Sequence, residues 1–256
     1  MEIPTKDTSI TLYNAYFNEF YHNVNDGALR ETLHKHIFPT LYLKNNFKAL
    51  NVLDICFGLG FNVMGLYYAL RESGVNGVVR VESPELYFLN SLKQHPYPKE
   101  LKIAYKLLGA LEDACEFKEK NFRVYLHLGD ARATLKVFLR EIKEGKREKF
   151  NVVFQDPFSP FKNHCLWTYE YFKILYALSS DDVVVTTYSH NSCMLYSAYL
   201  AGFNAFRVIQ ESVRDSVILT KTQVLPQLDL DFIKRVVRID IEHKIKTNPN
   251  LKGLYD

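Results

Sequence analysis

The chain has 256 residues, 47 % apolar and 24 % charged, with a formal net charge of +3. This is the composition of an ordinary folded domain, and the charge neither requires nor opposes a nucleic-acid partner. No apolar run approaches the roughly 20 residues of a membrane span, and the opening MEIPTKDTSI lacks a signal-peptide pattern, so a cytoplasmic protein with no membrane partner is expected.

The predicted elements run as follows. Ser9–Asn14 alternates weakly as a short strand, Asn25-Asp26-Gly27 is a turn, and Ala28–Phe38 reads as a helix stopping before Pro39. From Asn51 a regular alternation begins. Asn51–Cys56 is a buried strand, followed by a glycine turn and a helix over Asn62–Arg71. Gly77–Glu82 is a second strand, after which Pro84 is expected to open a helix. Glu100–Lys120 reads as helical. Strands at Phe122–Leu128, Phe150–Gln155 and Asp182–Tyr188 alternate with helices at Arg132–Lys143, Trp167–Leu178 and Cys193–Ala201. Ala205–Gln210 and Val217–Thr220 close the series as a hairpin.

Strands alternating with helices imply a mostly parallel sheet covered on both faces. Five such units and a closing hairpin predict a Rossmann-like α/β fold of the class I methyltransferase type, with a seven-stranded sheet. Three segments follow: an N-terminal extension over residues 1–50, a core over 51–221 and a C-terminal extension over 222–256. The last has an apolar periodicity that suggests a helix passing into a strand, with a basic side from Lys234, Arg235, Arg238, Lys244 and Lys246. The four cysteines form no C-x-x-C pair, and no metal site is expected.

In an open sheet of this kind a ligand sits beyond the carboxyl ends of the strands. After the first strand come Asp54, Cys56, Gly58, Gly60 and Asn62, where the glycines permit a sharp turn and close backbone approach. After the second comes Glu82, which can accept hydrogen bonds from ribose hydroxyls or simply favour a helix start. After the third come Asp130 and Ala131; Asp130 can bind an adenine amine, cap the next helix, or do both. After the fourth comes a segment stiffened by two prolines, Asp156-Pro157-Phe158-Ser159-Pro160-Phe161-Lys162-Asn163, leading to Trp167. Asp156 ends an apolar strand and is read either as a functional carboxylate or as one tied to loop amides.

That segment, D-P-F-S-P-F-K-N-x-x-x-W, resembles the D-G-F-A-P-x-K-N-P-x-M-W signature of the MnmC-type tRNA methyltransferase domain. Asp54–Asn62 is similar to the family's E-x-G-F-G-T-G-L-N, Asn25–Phe38 to its N-G-L-E-E-T helix, and Thr186–Phe203 to its T-[FY]-[ST]…A-G-F run. The resemblance covers roughly residues 9–220. It implies S-adenosylmethionine as cofactor and N-methylation of the 5-aminomethyl group of (2-thio)uridine at the tRNA wobble position. It also implies that Asp54, Cys56, Gly58, Gly60, Asn62, Glu82, Asp130, Ala131, Asp156 and Pro157 bind the cofactor. Asp156 would be catalytic, and Glu31, Phe158, Phe161, Lys162, Asn163 and Trp167 would bind the substrate. The sequence departs from the family at Cys56 and Pro157, which replace glycines, at His164, which replaces a proline, and in the basic G-[RK]-K-R-x-M segment, of which Arg214 keeps the charge. The family's flavin-dependent oxidase domain is not expected here, so an upstream enzyme would supply the aminomethyl group. Two alternatives stand beside this reading. An aminopropyltransferase of the spermidine-synthase type would want a second carboxylate beside Asp156. A non-catalytic cofactor-binding scaffold would accommodate Cys56.

Overall fold

A computed structural model describes residues 1–74, 76–89 and 92–256. Three short strands, β1 (Glu2–Pro4), β2 (Ile10–Asn14) and β3 (Glu19–Phe20), form a small antiparallel sheet of their own. Helix α1 (Ala28–Glu31) then runs through a π-helical turn, Thr32–Ile37, into α2 (Phe38–Leu43). The expected stop before Pro39 does not occur. Pro39 falls in the first turn of α2, where its missing N–H is no loss, because the wider π turn has already shifted the hydrogen-bond ladder upstream.

The main domain follows: β4 (Ala49–Ile55), α3 (Phe61–Ser73), β5 (Val78–Glu85), α4 (Tyr105–Ala114), β6 (Glu116–Glu119), β7 (Phe122–Leu128), α5 (Ala131–Lys143), β8 (Phe150–Gln155), α6 (Tyr169–Leu178), β9 (Ser179–Thr187), α7 (Ser192–Leu200), β10 (Asn204–Gln210), β11 (Ser216–Thr220), β12 (Ile233–Arg238) and α8 (Ile241–Thr247). The nine-stranded sheet has the order β12-β10-β11-β9-β8-β4-β5-β7-β6. Its centre is parallel, and β11, β10, β12 and β6 pair antiparallel. This is the class I methyltransferase sheet with an extra strand at each edge. One extra strand, β6, comes from a segment read as helix; Lys118 and Glu116 alternate outward there while Phe117 is buried. The other, β12, comes from the tail, which forms a strand and then a helix, the reverse of the expected order.

Apolar side chains leave both faces of the sheet. Leu50, Val52, Val79 and Val81 pack with α3 and α4, whereas Leu53, Ile55, Val153 and Val185 pack with α5, α6 and α7. Because β5 and β8 flank β4 and the chain reverses its direction of travel across the sheet there, a crevice opens beyond the carboxyl ends of β4 and β8. Among the described residues, no helix is long and apolar enough to cross a membrane.

Candidate active site

A cavity of about 740 Å³ occupies that crevice. Its floor is the turn after β4. Gly58 and Gly60 have φ of +55° and +76°, and a Cβ on Gly60 would stand 2.7 Å from the Phe57 ring, so this tight turn is built for glycine. Cys56 shares the left-handed conformation, with φ +70°, although it carries a side chain.

The acidic residue beside this turn is Glu85. Its Oε2 accepts the Gly58 N–H at 2.8 Å and its Oε1 accepts the Leu86 N–H at 2.8 Å. Burial raises its pKa, against the opposing pull of those amides. The sequence places the carboxylate at Glu82, and the structure corrects this. Strand β5 continues through Ser83 and Pro84 to Glu85, and Pro84 does not open a helix. The β4–β5 ladder ends at Leu53↔Glu82, so Pro84 sits past the last rung, where no N–H is needed on that side. Glu82 lies off the cavity, buried between Arg80 (2.6 Å), Arg147 (2.6 Å) and His127 (2.5 Å).

Asp130 and Ala131 line the cavity wall after β7. Asp130 also caps α5, its Oδ1 accepting from Ala133 N at 2.8 Å, which leaves Oδ2 unused by the cap. At the end of β8, Asp156 faces the cavity, with Oδ2 accepting from Asn62 Nδ2 at 2.9 Å and Oδ1 lying 3.6 Å from His36 Nε2. Burial raises its pKa, but the proximity of the His36 imidazole, together with the Asn62 hydrogen bond, outweighs burial and leaves Asp156 below the ordinary carboxylate value. Behind it, Asp54 is buried and accepts from Ser83 Oγ at 2.8 Å. Burial, joined by repulsion from Asp156 and Glu85, pushes Asp54 up to about 8.

The proline-stiffened loop forms one side of the mouth. Pro157 O accepts from Tyr188 Oη at 2.9 Å, and Ser159 N donates to Glu19 Oε2 at 3.0 Å. The Phe158 ring stacks on Phe17 with 4.6 Å between centroids and tilts against Tyr21 at 5.1 Å. The small N-terminal sheet thereby roofs the cavity. Glu31 lines the opposite wall with both oxygens engaged, one by the Lys35 ammonium at 2.7 Å and one by Asn23 N–H at 2.9 Å.

The predicted residues Cys56, Gly58, Asn62, Asp130, Ala131, Asp156, Pro157, Glu31, Phe158, Lys162 and Asn163 thus meet around one cavity. Others do not. Asp54 and Gly60 shape the turn from behind, and Glu82 is an ion-pair centre elsewhere. Phe161 points into solvent, 85 % exposed, outside the cavity lining. Trp167 is fully buried, with Nε1 donating to Phe158 O at 2.8 Å, so its ring packs the core and cannot stack on a ligand. Sequence reasoning missed Glu85, His22, His36, Tyr21 and Tyr188. An acidic residue three positions past Glu82 was visible, but only the length of β5 selects it.

A family model described as S-adenosyl-L-methionine-dependent methyltransferase matches residues 93–214. The methyltransferase MnmC2 of Aquifex aeolicus superposes with a TM-score of 0.82 at 25 % identity, covering 100 % of this chain and 78 % of that one. The bifunctional tRNA 5-methylaminomethyl-2-thiouridine biosynthesis protein MnmC of Paraburkholderia phymatum is 26 % identical over 223 residues, 77 % of this chain. The chain is an S-adenosyl-L-methionine-dependent methyltransferase similar to the MnmC type. An uncharacterised protein of Methanocaldococcus jannaschii is also similar, 30 % identical over 189 residues or 73 % of this chain. The methyltransferase spans 49 % of that relative and 31 % of the Paraburkholderia protein. Its cofactor is S-adenosylmethionine, and the cavity fits it. The glycine turn leaves room for close approach, carboxylates end β5 and β7, and beside the cavity Asn62 Oδ1 is a buried acceptor with no partner among the described residues.

Proposed function

We propose that this methyltransferase N-methylates the 5-aminomethyl group of (2-thio)uridine at the tRNA wobble position, giving the 5-methylaminomethyl nucleoside. In this reading it works in the cytoplasm on tRNA that an upstream enzyme has already furnished with the amine. Residues 51–221 act as the catalytic core, and residues 1–50 and 222–256 as extensions packed on it.

The observation that carries the reading is the setting of Asp156: an ionised carboxylate anchored by Asn62, between a glycine turn and an aromatic loop. Bound S-adenosylmethionine supplies an activated methyl group. Gly58, Cys56, Glu85, Asn62, Asp130, Ala131 and Pro157 would hold it, with Glu85 as acceptor for its ribose hydroxyls and Asp130 for its adenine amine. Asp156 accepts a proton from the acceptor ammonium and aims the nitrogen lone pair. Phe158 stacks on the unpaired base, as single-stranded RNA loops are read, while Lys162 meets phosphate and Asn163 and Glu31 shape the acceptor wall. The acidic lining suits both a cationic cofactor and an ammonium acceptor.

The test uses methyl-labelled cofactor and tRNA carrying the unmethylated aminomethyl uridine, followed by digestion and identification of the labelled nucleoside. Label in 5-methylaminomethyl(-2-thio)uridine, lost in Asp156→Ala, is the expected outcome. Absence of label with cofactor binding intact removes the tRNA assignment.

A further inference from the structure

His36 is fully buried and belongs to the π-helical turn Thr32–Ile37. A π turn replaces the usual helical ladder with a wider one and commonly marks a place where a side chain has to be aimed. Here it aims an imidazole at Asp156 from behind the cavity lining. Nδ1 is engaged by Thr186 Oγ1 at 2.8 Å, and the Phe154 ring sits edge-on at 5.8 Å between centroids. That leaves Nε2, which is buried with no hydrogen-bond partner and lies 3.6 Å from Asp156 Oδ1. An unpaired buried polar atom carries a real cost. Asp156 is the acceptor it faces, and catalytic hydrogen bonds that are long in a ligand-free site tighten when the ligand binds.

We propose that His36 is the positioning residue of Asp156: its Nε2–H orients the carboxylate from beneath for the acceptor nitrogen. This rests on the amine-acceptor reading above. In the step, the ammonium N–H bond breaks, the nitrogen keeps the electron pair, and the proton arrives on the Asp156 carboxylate, while Nε2–H stays directed at Oδ1. The imidazole keeps its own proton throughout and holds the carboxylate in line, and the carboxylate passes its proton to solvent before the next turnover. Nothing is oxidised or reduced. The other ionisable groups around the pair are His22 and Asp54 from neighbouring segments and Glu31 and Lys35 from the same helical stretch. Lys35 is held by Asp26 and Glu31, each at 2.7 Å, and Asp54 by Ser83, so Nε2 is the group left facing Asp156.

Two substitutions separate positioning from packing. His36→Phe keeps a ring and loses the donor; His36→Gln loses the ring and keeps an amide directed at Asp156. The proposal expects kcat on aminomethyl-tRNA to fall roughly 100-fold in His36→Phe and to recover roughly tenfold in His36→Gln. KM for the cofactor, and its affinity by calorimetry, should stay within about threefold. A packing role reverses the order, with Phe milder than Gln, and overturns the proposal. The second readout needs no turnover. The ¹⁵N spectrum of labelled imidazoles is compared between the wild-type protein and Asp156→Asn. A displaced His36 Nε2 resonance is expected, and an unchanged one overturns the pairing. If the wild-type protein is inactive on this tRNA, the acceptor reading fails, and the ¹⁵N comparison then decides the pairing by itself.

Discussion

Gly58 donates its backbone N–H to Glu85 Oε2 at 2.8 Å, so the turn after one strand is fastened to the carboxylate that ends the next. The same carboxylate faces the cavity that Glu82 does not reach. Glu85→Ala is therefore expected to weaken S-adenosylhomocysteine binding roughly 10- to 100-fold, since a hydrogen bond to a charged group is worth about 1.5–3 kcal/mol. Titration calorimetry reads this directly.

Glu82→Gln should have the opposite profile. Removing the charge strands Arg147 and Arg80 beside a buried neutral amide, and breaking a buried pair costs about 3–5 kcal/mol. Denaturant unfolding should show that loss, while cofactor affinity stays within about twofold. A large affinity loss with unchanged stability would return the ribose role to Glu82.

The left-handed backbone at Cys56 can be tested by comparing two small residues. Cys56→Gly removes the steric conflict and Cys56→Ala keeps it. The glycine variant should be more stable than the alanine variant by about 1 kcal/mol, despite the greater freedom of glycine in the unfolded chain. Equal midpoints in a denaturant titration would mean that the conformation carries no strain.

Asp54 and Asp156 should act on stability with opposite signs. The folded pKa of Asp54 is about 8, against 3.8 for the free side chain, so the folded state holds the proton longer. Below the free value both states are protonated and the group contributes nothing. As pH rises from there towards 8 the unfolded chain gains, and stability falls with a limiting slope of about 1.4 kcal/mol per pH unit. Asp54→Asn removes that slope and should be the more stable form in alkaline buffer. Asp156, with its lowered pKa, contributes stability above the free value and loses it as pH falls through the folded one. Paired melts of each Asn variant across pH would show curves of opposite tilt.

Phe158 and Trp167, both aromatic candidates in the sequence, should separate cleanly. Phe158→Ala opens the cavity mouth and is expected to raise KM for tRNA with little change in cofactor affinity. Trp167→Phe leaves the Phe158 carbonyl without its donor and a gap in the core, and should cost about 2 kcal/mol of stability. A tRNA-specific defect in Trp167→Phe would contradict its burial.

The parallel core was legible because its strands are short apolar runs separated by helices. Phe122–Leu128 and Phe150–Gln155 emerge with the expected bounds. The glycine turn and the Asp156 loop were legible because glycine and proline impose local geometry. Glu82 was misread because its distance from the glycines is a spacing rule, and the rule assumes a strand that ends at the first proline. Here the β4–β5 pairing ends at Glu82, so Pro84 can remain extended without a ladder N–H on that side. Trp167 was misread because a motif tells which residue recurs but not which way it points. His36 was invisible for a deeper reason. The π turn that aims it and the strand that brings Asp156 to meet it are 120 residues apart, and no local pattern records that meeting.

Tyr21, in the roof, touches two things at once. Its ring lies 3.2 Å from where a Cβ on Gly58 would stand, and it tilts against Phe158. One aromatic ring thus bridges the glycine turn and the proline-stiffened loop. Under the proposed function, a shift of that ring would disturb the cofactor side and the acceptor side of the cavity together.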